Sequence, residues 1–242
     1  MIEVQQLSKA YGGEQVLRQL SLRLPAQQTL SVLGKSGGGK STLLKIMAGL
    51  ETADSGDFRV DGQSLLNLAP QLREVVYLSQ EALLFPHLKV GDNLAFGLRV
   101  RKVPLRTVVQ RVRTLAKQLG LETHLDKYPA QLSGGQKQRV SFGRALIINP
   151  KILLLDEPFG SLDSQTRREM QQLFRDIRSQ YRITALFVTH DLKEALLMGD
   201  QIGILADGQL KVYPDPQTFV GAPESGAEAE LAFWQQFTAK PA

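Results

Sequence analysis

No cysteine occurs in the 242-residue sequence, which excludes disulfides and thiolate metal sites and suits a cytoplasmic setting. Long apolar runs are missing as well. None approaches the roughly 20 residues that span a bilayer, and the opening MIEVQQLSKAYGG lacks the apolar centre of an export signal. Acidic residues are missing between Asp92 and Glu122, where Arg99, Arg101, Lys102, Arg106, Arg111, Arg113 and Lys117 all fall. That run reads either as a solvated helix face or as a contact for an anionic surface. Without interleaved aromatics, lipid headgroups suit it better than nucleic acid. Internal repeats and low-complexity segments are absent too.

What remains is an ordinary globular composition, long enough for one large domain, or one domain with an inserted subdomain. Short β-branched or leucine-rich runs fall at 2–7, 17–24, 28–33, 57–60, 74–79, 152–156, 183–189, 201–206 and 209–213. KILLLD and ITALFVTH are apolar without alternation, as expected for strands buried on both faces of a parallel sheet. Helical patterns at 40–50, 164–180 and 191–198 lie between them, so the sequence predicts an α/β core. Residues 86–146 read as a helical subdomain, broken by Pro86, Pro104 and Pro129 and inserted between the core segments 1–85 and 147–213. An antiparallel β region is expected at the N-terminus. The tail, 214–242, reads as a loop followed by a short helix around AFWQQF.

Chemistry enters at GKSGGGKST, residues 34–42, which fits G-x-x-x-x-G-K-[ST] between the strand TLSVLG and the helical STLLKIMAGL. Gly34, Gly37, Gly38 and Gly39 let backbone N–H groups of the loop, Lys35 and Ser36 included, converge on phosphate oxygens. The following helix points its positive end, at Lys40, Ser41 and Thr42, toward the same anion. Lys40 suits the β- and γ-phosphates, and the Ser41 hydroxyl suits Mg²⁺. KILLLDEP, residues 151–158, buries a strand that emerges at two carboxylates. Asp156 is placed for the Mg²⁺ shell, and Glu157 to orient or deprotonate a water. Together these predict a phosphate-loop NTPase core that hydrolyses, or at least binds, a nucleoside triphosphate with Mg²⁺. LSGGQKQR, residues 132–139, holds no group for chemistry of its own. Ser133 reads as a helix N-cap, with Gly134 and Gly135 leaving the first N–H groups uncovered as a second anion-binding helix end.

GKSGGGKST, LSGGQKQR and ILLLDEP in that order resemble the ATP-binding subunit of an ABC transporter. The resemblance covers about residues 1–213. It implies that Tyr11 stacks on adenine, although a lone tyrosine also serves as a packing residue. It implies that Gln80, after VVYLS, touches Mg²⁺ and the attacking water, although a glutamine after a strand is often only a surface residue. Asp163 in SLD matches the family's D-loop, and His190 in VTHD its switch histidine, which a structural hydrogen bond at a helix start would also explain. Ser133, Gly134, Gly135 and Gln136 would complete the ATP site of a second copy packed head to tail. Lys35 stands where the family often has proline.

FPHLKVGDNLAFGLR and the run from YPAQLSGGQ to GSLD are most similar to importer subunits serving polyamines, ferric iron, sulfate, molybdate or thiamine. The implied function is ATP hydrolysis that drives a membrane permease at the cytoplasmic face of the plasma membrane, alongside a solute-binding protein. LLFPHL offers apolar residues for docking a partner helix, or for a local core. Two rivals stand beside this reading. One is an exporter or a mechanical membrane complex. The other is a soluble ABC-type ATPase acting on nucleic acid, which the short spacing from Lys40 to Ser133 disfavours because it leaves no room for a coiled-coil insertion. A phosphotransferase lacks an acceptor pocket in the sequence.

Overall fold

The computed structural model describes residues 1–238, with side chains through Trp234, so the last four residues of the expected tail lie outside the described residues. The chain forms two compact units, residues 1–69 with 185–242 and residues 70–184.

The first unit holds two sets of strands. β1 (Ile2–Tyr11) and β2 (Glu14–Leu24) pair antiparallel, β1 pairs antiparallel with β4 (Ser55–Val60), and β5 (Gln63–Ser64) follows β4 as a short hairpin. This is the antiparallel β region expected at the N-terminus. Tyr11 faces Glu14 across a two-residue turn, Gly12 and Gly13, both at positive φ, as the twist-matched tight hairpin requires. The second set runs β10 (Gln209–Tyr213), β9 (Gln201–Ala206), β3 (Thr29–Leu33) and β8 (Thr184–Thr189). β3 pairs parallel with both β8 and β9, and β9 and β10 form an antiparallel hairpin. TALFVT of β8 is buried at every position, as its unbroken apolar pattern predicts for a parallel strand.

α1 (Lys40–Ala48) follows β3 and ends at Gly49, φ 79°, where Gly49 N–H reaches Ile46 and Leu50 N–H reaches Lys45 in a left-handed helix stop. α6 (Leu192–Met198) follows β8. In the tail, α7 (Pro216–Val220) precedes α8 (Ala227–Thr238), and Phe219 and Ala227 join a core cluster with Leu192, Ala195, Ile202 and Tyr213. The expected loop therefore contains a short helix. Asp215 caps it by accepting from Thr218 N–H at 2.7 Å, and Pro216 occupies its first turn.

The second unit pairs β6 (Val75–Leu78) parallel with β7 (Ile152–Asp156), which is buried throughout. Its helices are α2 (Val90–Val100), α3 (Leu105–Gln118), α4 (Gly134–Leu146) and α5 (Ser164–Tyr181). α2, α3 and α4 lie within the segment expected to be helical, and Gly143 lets α2 and α3 come close to α4. A Cβ there would meet Leu94 and Leu119 at 2.5 and 2.6 Å. The basic side chains of α3 are exposed while Val108, Val112, Leu115 and Ala116 are buried, the arrangement of a solvated helix face. Of LLFPHL, only Leu83 among the large apolar residues is well exposed; Phe85 lies 4.4 Å from the Phe96 ring and under the Arg144 guanidinium. Among the described residues no helix is long and apolar enough to cross a membrane.

Candidate functional site

In the first unit, residues 34–39 leave the buried strand β3 and turn into α1. Gly37 and Gly39 sit at φ 77° and 92°, a region that favours glycine. Gly39 is needed twice over, because a Cβ there would also lie 2.9 Å from the Val16 carbonyl oxygen. Gly34 is fixed by close approach instead: its Cβ would come 2.6 Å from the Leu205 carbonyl oxygen. The buried Lys40 side chain turns back into the loop and donates to the Gly34 and Lys35 carbonyls at 2.8 and 3.0 Å. Lys35 takes part through its backbone, also accepting from Gly38 N–H at 3.1 Å, and its side chain is exposed. Ser36 is exposed, and Ser41 and Thr42 are half-buried in the first turn of α1.

Helix starts in this chain are of two kinds, and α2 and α3, like α1, have no side-chain cap. Ser133 caps α4, Asp163 caps α5 and Asp191 caps α6, each with a side-chain oxygen on early N–H groups. α1 begins at Gly39, which has no side chain to cap with, so its positive end faces the loop that Lys40 also lines.

His190 is exposed on a rigid bracket at the end of β8. Just before it the buried Thr189 hydroxyl donates to Glu194 at 2.8 Å and accepts from Asp191 N–H at 3.1 Å. Just after it Asp191 accepts from Lys193 and Glu194 N–H. Tyr11 is 44% exposed beside the Gly12–Gly13 turn, and the Lys9 ammonium stands over its ring, 4.9 Å from the centre.

In the second unit, β7 delivers Asp156 with only 7% exposure, and the Tyr77 hydroxyl donates to its Oδ2 at 2.8 Å. Burial first, then the hydrogen bond to Asp156 and its charge, push the Tyr77 phenol well above its ordinary value, so it stays a donor. Glu157 follows at φ 45°, a left-handed conformation uncommon for a glutamate. Gln80 is exposed beyond β6, and a Cβ on Gly160 would lie 3.5 Å from Gln80 Nε2 and 3.9 Å from Glu157 Oε2. The amide and the carboxylate thus both lie close to Gly160.

The signature residues behave as a capped helix start. Ser133 Oγ accepts from Gln136 N–H at 3.3 Å, and Gln136 Oε1 accepts from Ser133 N–H at 3.0 Å. Gly134 has open space around it, as the sequence suggests. Gly135 has a packing reason instead, since its Cβ would strike Thr166 Cγ2 at 2.4 Å. Asp163 accepts from Gln165 and Thr166 N–H at 3.1 and 3.0 Å; the hydrogen bonds from Thr166 hold its carboxyl below the usual range.

Three supporting residues escape the sequence reading. Tyr77 is one. Gln138, 2% exposed, donates to the Pro158 carbonyl at 2.6 Å and ties α4 to the turn after Glu157. Arg167 donates to the Phe159 and Leu162 carbonyls at 3.2 and 3.0 Å and holds the loop that leads to Asp163. A signal for Arg167 does exist, because a cation in the first turn of a helix opposes the dipole and needs another reason to be there.

The sequence matches the family described as ABC transporter over residues 17–160. It is 42% identical over 228 residues to the sulfate/thiosulfate import ATP-binding protein CysA of Bacillus cereus, an alignment spanning 93% of this chain and 64% of that protein. It is 40% identical over 225 residues to the molybdate/tungstate import ATP-binding protein WtpC of Pyrococcus horikoshii, spanning 93% and 65%. The chain thus spans about 64% of the length of the curated relatives it matches. Its fold superposes with a TM-score of 0.79 and 30% identity on the ATP-binding cassette MJ0796, described as a dimeric post-hydrolysis state bound to ADP and Pi; the match covers 88% of this chain and 98% of that one. With the motif residues set on an α/β phosphate-loop core and these likenesses running through nearly its whole length, the chain belongs to the ABC transporter family.

Proposed function

We propose that this chain is an ATPase that dimerises around ATP and drives a membrane permease at the cytoplasmic face of the plasma membrane, in the import of a small solute or ion. The observation that carries the reading is the glycine loop of residues 34–39, lined by the buried Lys40 ammonium and opening directly into the N-terminus of α1. The import direction rests on the names of the relatives, which describe import ATP-binding proteins.

In this reading the loop amides of residues 34–39 and Lys40 take the ATP phosphates, and Tyr11 offers its ring to the adenine. Ser41, Asp156 and Gln80 are oxygen donors of the kind Mg²⁺ accepts beside nucleotide phosphates, and they would hold it; the ion neutralises phosphate charge there. Glu157 accepts the proton of the attacking water, while Gln80 and His190 hydrogen-bond around it. The Ser133 hydroxyl accepts within its own capping box, which leaves its proton to donate to a phosphate held by the second copy. Gly134 keeps that helix end open, Gly135 lets it pack against Thr166, and Gln136 and Asp163 shape the loops beside it. ATP held by both copies favours the closed dimer, hydrolysis removes the bridge, and the permease follows the motion. A solute-binding protein completes the import complex.

The test is purification of tagged Glu157→Gln protein from its native membranes in mild detergent with ATP. A multi-span permease recovered with two copies of this chain is the expected result. Recovery of nucleic acid or soluble machinery alone would overturn the transport reading.

A further inference from the structure

His124 is not part of any motif that pointed to function, yet it touches the signature. It lies in the 3-10 turn Glu122–His124 of the second unit, half-buried, with its backbone fixed by His124 N–H to the Leu121 carbonyl and Lys127 N–H to its own carbonyl. Its Nε2 stands 3.1 Å from Gln136 Nε2, and its Nδ1 stands 3.1 Å from the Thr123 hydroxyl.

The direction of the Gln136 contact follows from its other end. Gln136 Oε1 accepts from Ser133 N–H at 3.0 Å, so the amide oxygen is committed and the nitrogen toward the imidazole is the donor. His124 Nε2 must then accept, which requires a neutral ring carrying its proton on Nδ1, next to the Thr123 oxygen. We infer that His124 is a positioning residue for the signature: its neutral imidazole locks the Gln136 amide in the one orientation that closes the capping box on Ser133. The inference rests on the proposed role of Ser133 toward a second copy's ATP.

Protonation breaks the arrangement whichever way the amide turns. An imidazolium N–H facing the amide NH₂ sets donor against donor. A flipped amide satisfies the ring but turns its NH₂ toward Ser133 N–H, which is again two donors. One of the two hydrogen bonds is lost, and the Ser133 end of α4 loosens.

The charged side chains on the surrounding elements are Glu122 and Asp126 beside the ring's own turn, Lys127 after it, Lys117 in α3, and Lys137 and Arg139 in α4. Asp126 pairs with Lys89, and Arg139 is engaged by the Leu119 carbonyl and Glu169. Among the described residues none of these bonds to the imidazole, whose hydrogen bonds go to Thr123 and Gln136.

The experiment compares the full-length wild type with His124→Gln, which offers an acceptor that does not titrate, and His124→Leu, which offers none. Steady-state ATP hydrolysis is followed from pH 5.5 to 8.5, with ATP affinity measured in parallel. His124→Leu should lower kcat roughly three- to tenfold across the range with KM for ATP unchanged, the size expected for one lost hydrogen bond. His124→Gln should restore kcat at pH 8 and flatten the acid side of the wild-type profile. Superimposable profiles for wild type and His124→Gln, or a His124→Leu effect confined to KM, would overturn the inference. If the wild type hydrolyses no ATP, it is the proposed function that fails. The inference is then decided by ¹⁵N-histidine NMR of the free chain, assigned with the His→Gln variants of the chain's three histidines. A proton on Nδ1 of His124 at pH 8 supports it, and a proton on Nε2 overturns it.

Discussion

Asp156 is legible in the sequence, but the residue that holds it is not. Tyr77 lies 79 positions away and reads as one more aromatic in a strand, yet its hydroxyl fixes Oδ2 of a carboxylate that is almost fully buried. Tyr77→Phe keeps the ring and removes only that donor. The expected result is an unfolding free energy lower by about 1–3 kcal/mol in urea titration, the cost of a buried acceptor left short of a partner. A fall in kcat with ATP affinity preserved should accompany it. Ser133 shows the opposite case, because capping is a short-range habit of serine and the reading of residue 133 as an N-cap needed no distant partner. Gly135 lies between these two. Its place in the motif was plain, but the reason for it is a methyl group of Thr166 thirty-one positions on, which no local pattern reports.

The elements themselves were mostly visible, because the buried parallel strands are unbroken apolar runs and the long helices show their period. The five residues of α7 are too few to carry a period, though Asp215 followed by Pro216 is a helix-start signal. The turn after α7 has its own fastening. Glu224 accepts from the Lys211 ammonium and from the Tyr213 hydroxyl, which joins the Pro223–Ser225 turn to β10. The Lys211 hydrogen bond pulls the Glu224 carboxyl down to about 2, and the same contact raises Lys211. A depressed carboxyl contributes stability above its unfolded value of 4.5 and loses it as the pH falls toward 2. A raised ammonium contributes below 10.5 and loses it as the pH rises beyond. The fastening is therefore complete from about pH 5 to 10 and weakens on the acid side first. Hydrogen exchange in residues 223–228, corrected for intrinsic rates, should quicken between pH 6 and pH 3. In Lys211→Met that change should largely disappear. Both groups are exposed, so added salt should weaken the effect.

For the molecule as a whole, the proposed function makes the signature an anion-binding helix end with no reacting group of its own, half of a site that a second copy completes. The consequence is testable by mixing. Lys40→Ala spoils the phosphate loop and Ser133→Arg spoils the signature, so neither chain alone should hydrolyse ATP. A one-to-one mixture forms some dimers in which an intact loop meets an intact signature, and activity should return. No recovery on mixing, with both chains folded by circular dichroism, would mean that the two motifs are not shared between copies.

The left-handed backbone at Glu157 has a consequence for how such a protein evolves. Glycine and asparagine occupy that conformation at less cost than glutamate does, so by backbone alone they are the better residues there. In the proposed mechanism only the carboxylate can take the proton from water. Heat resistance and turnover therefore favour different side chains at one position. A population selected for survival at high temperature, with no demand for transport, would drift away from glutamate at 157, and only continued use of the reaction keeps it there.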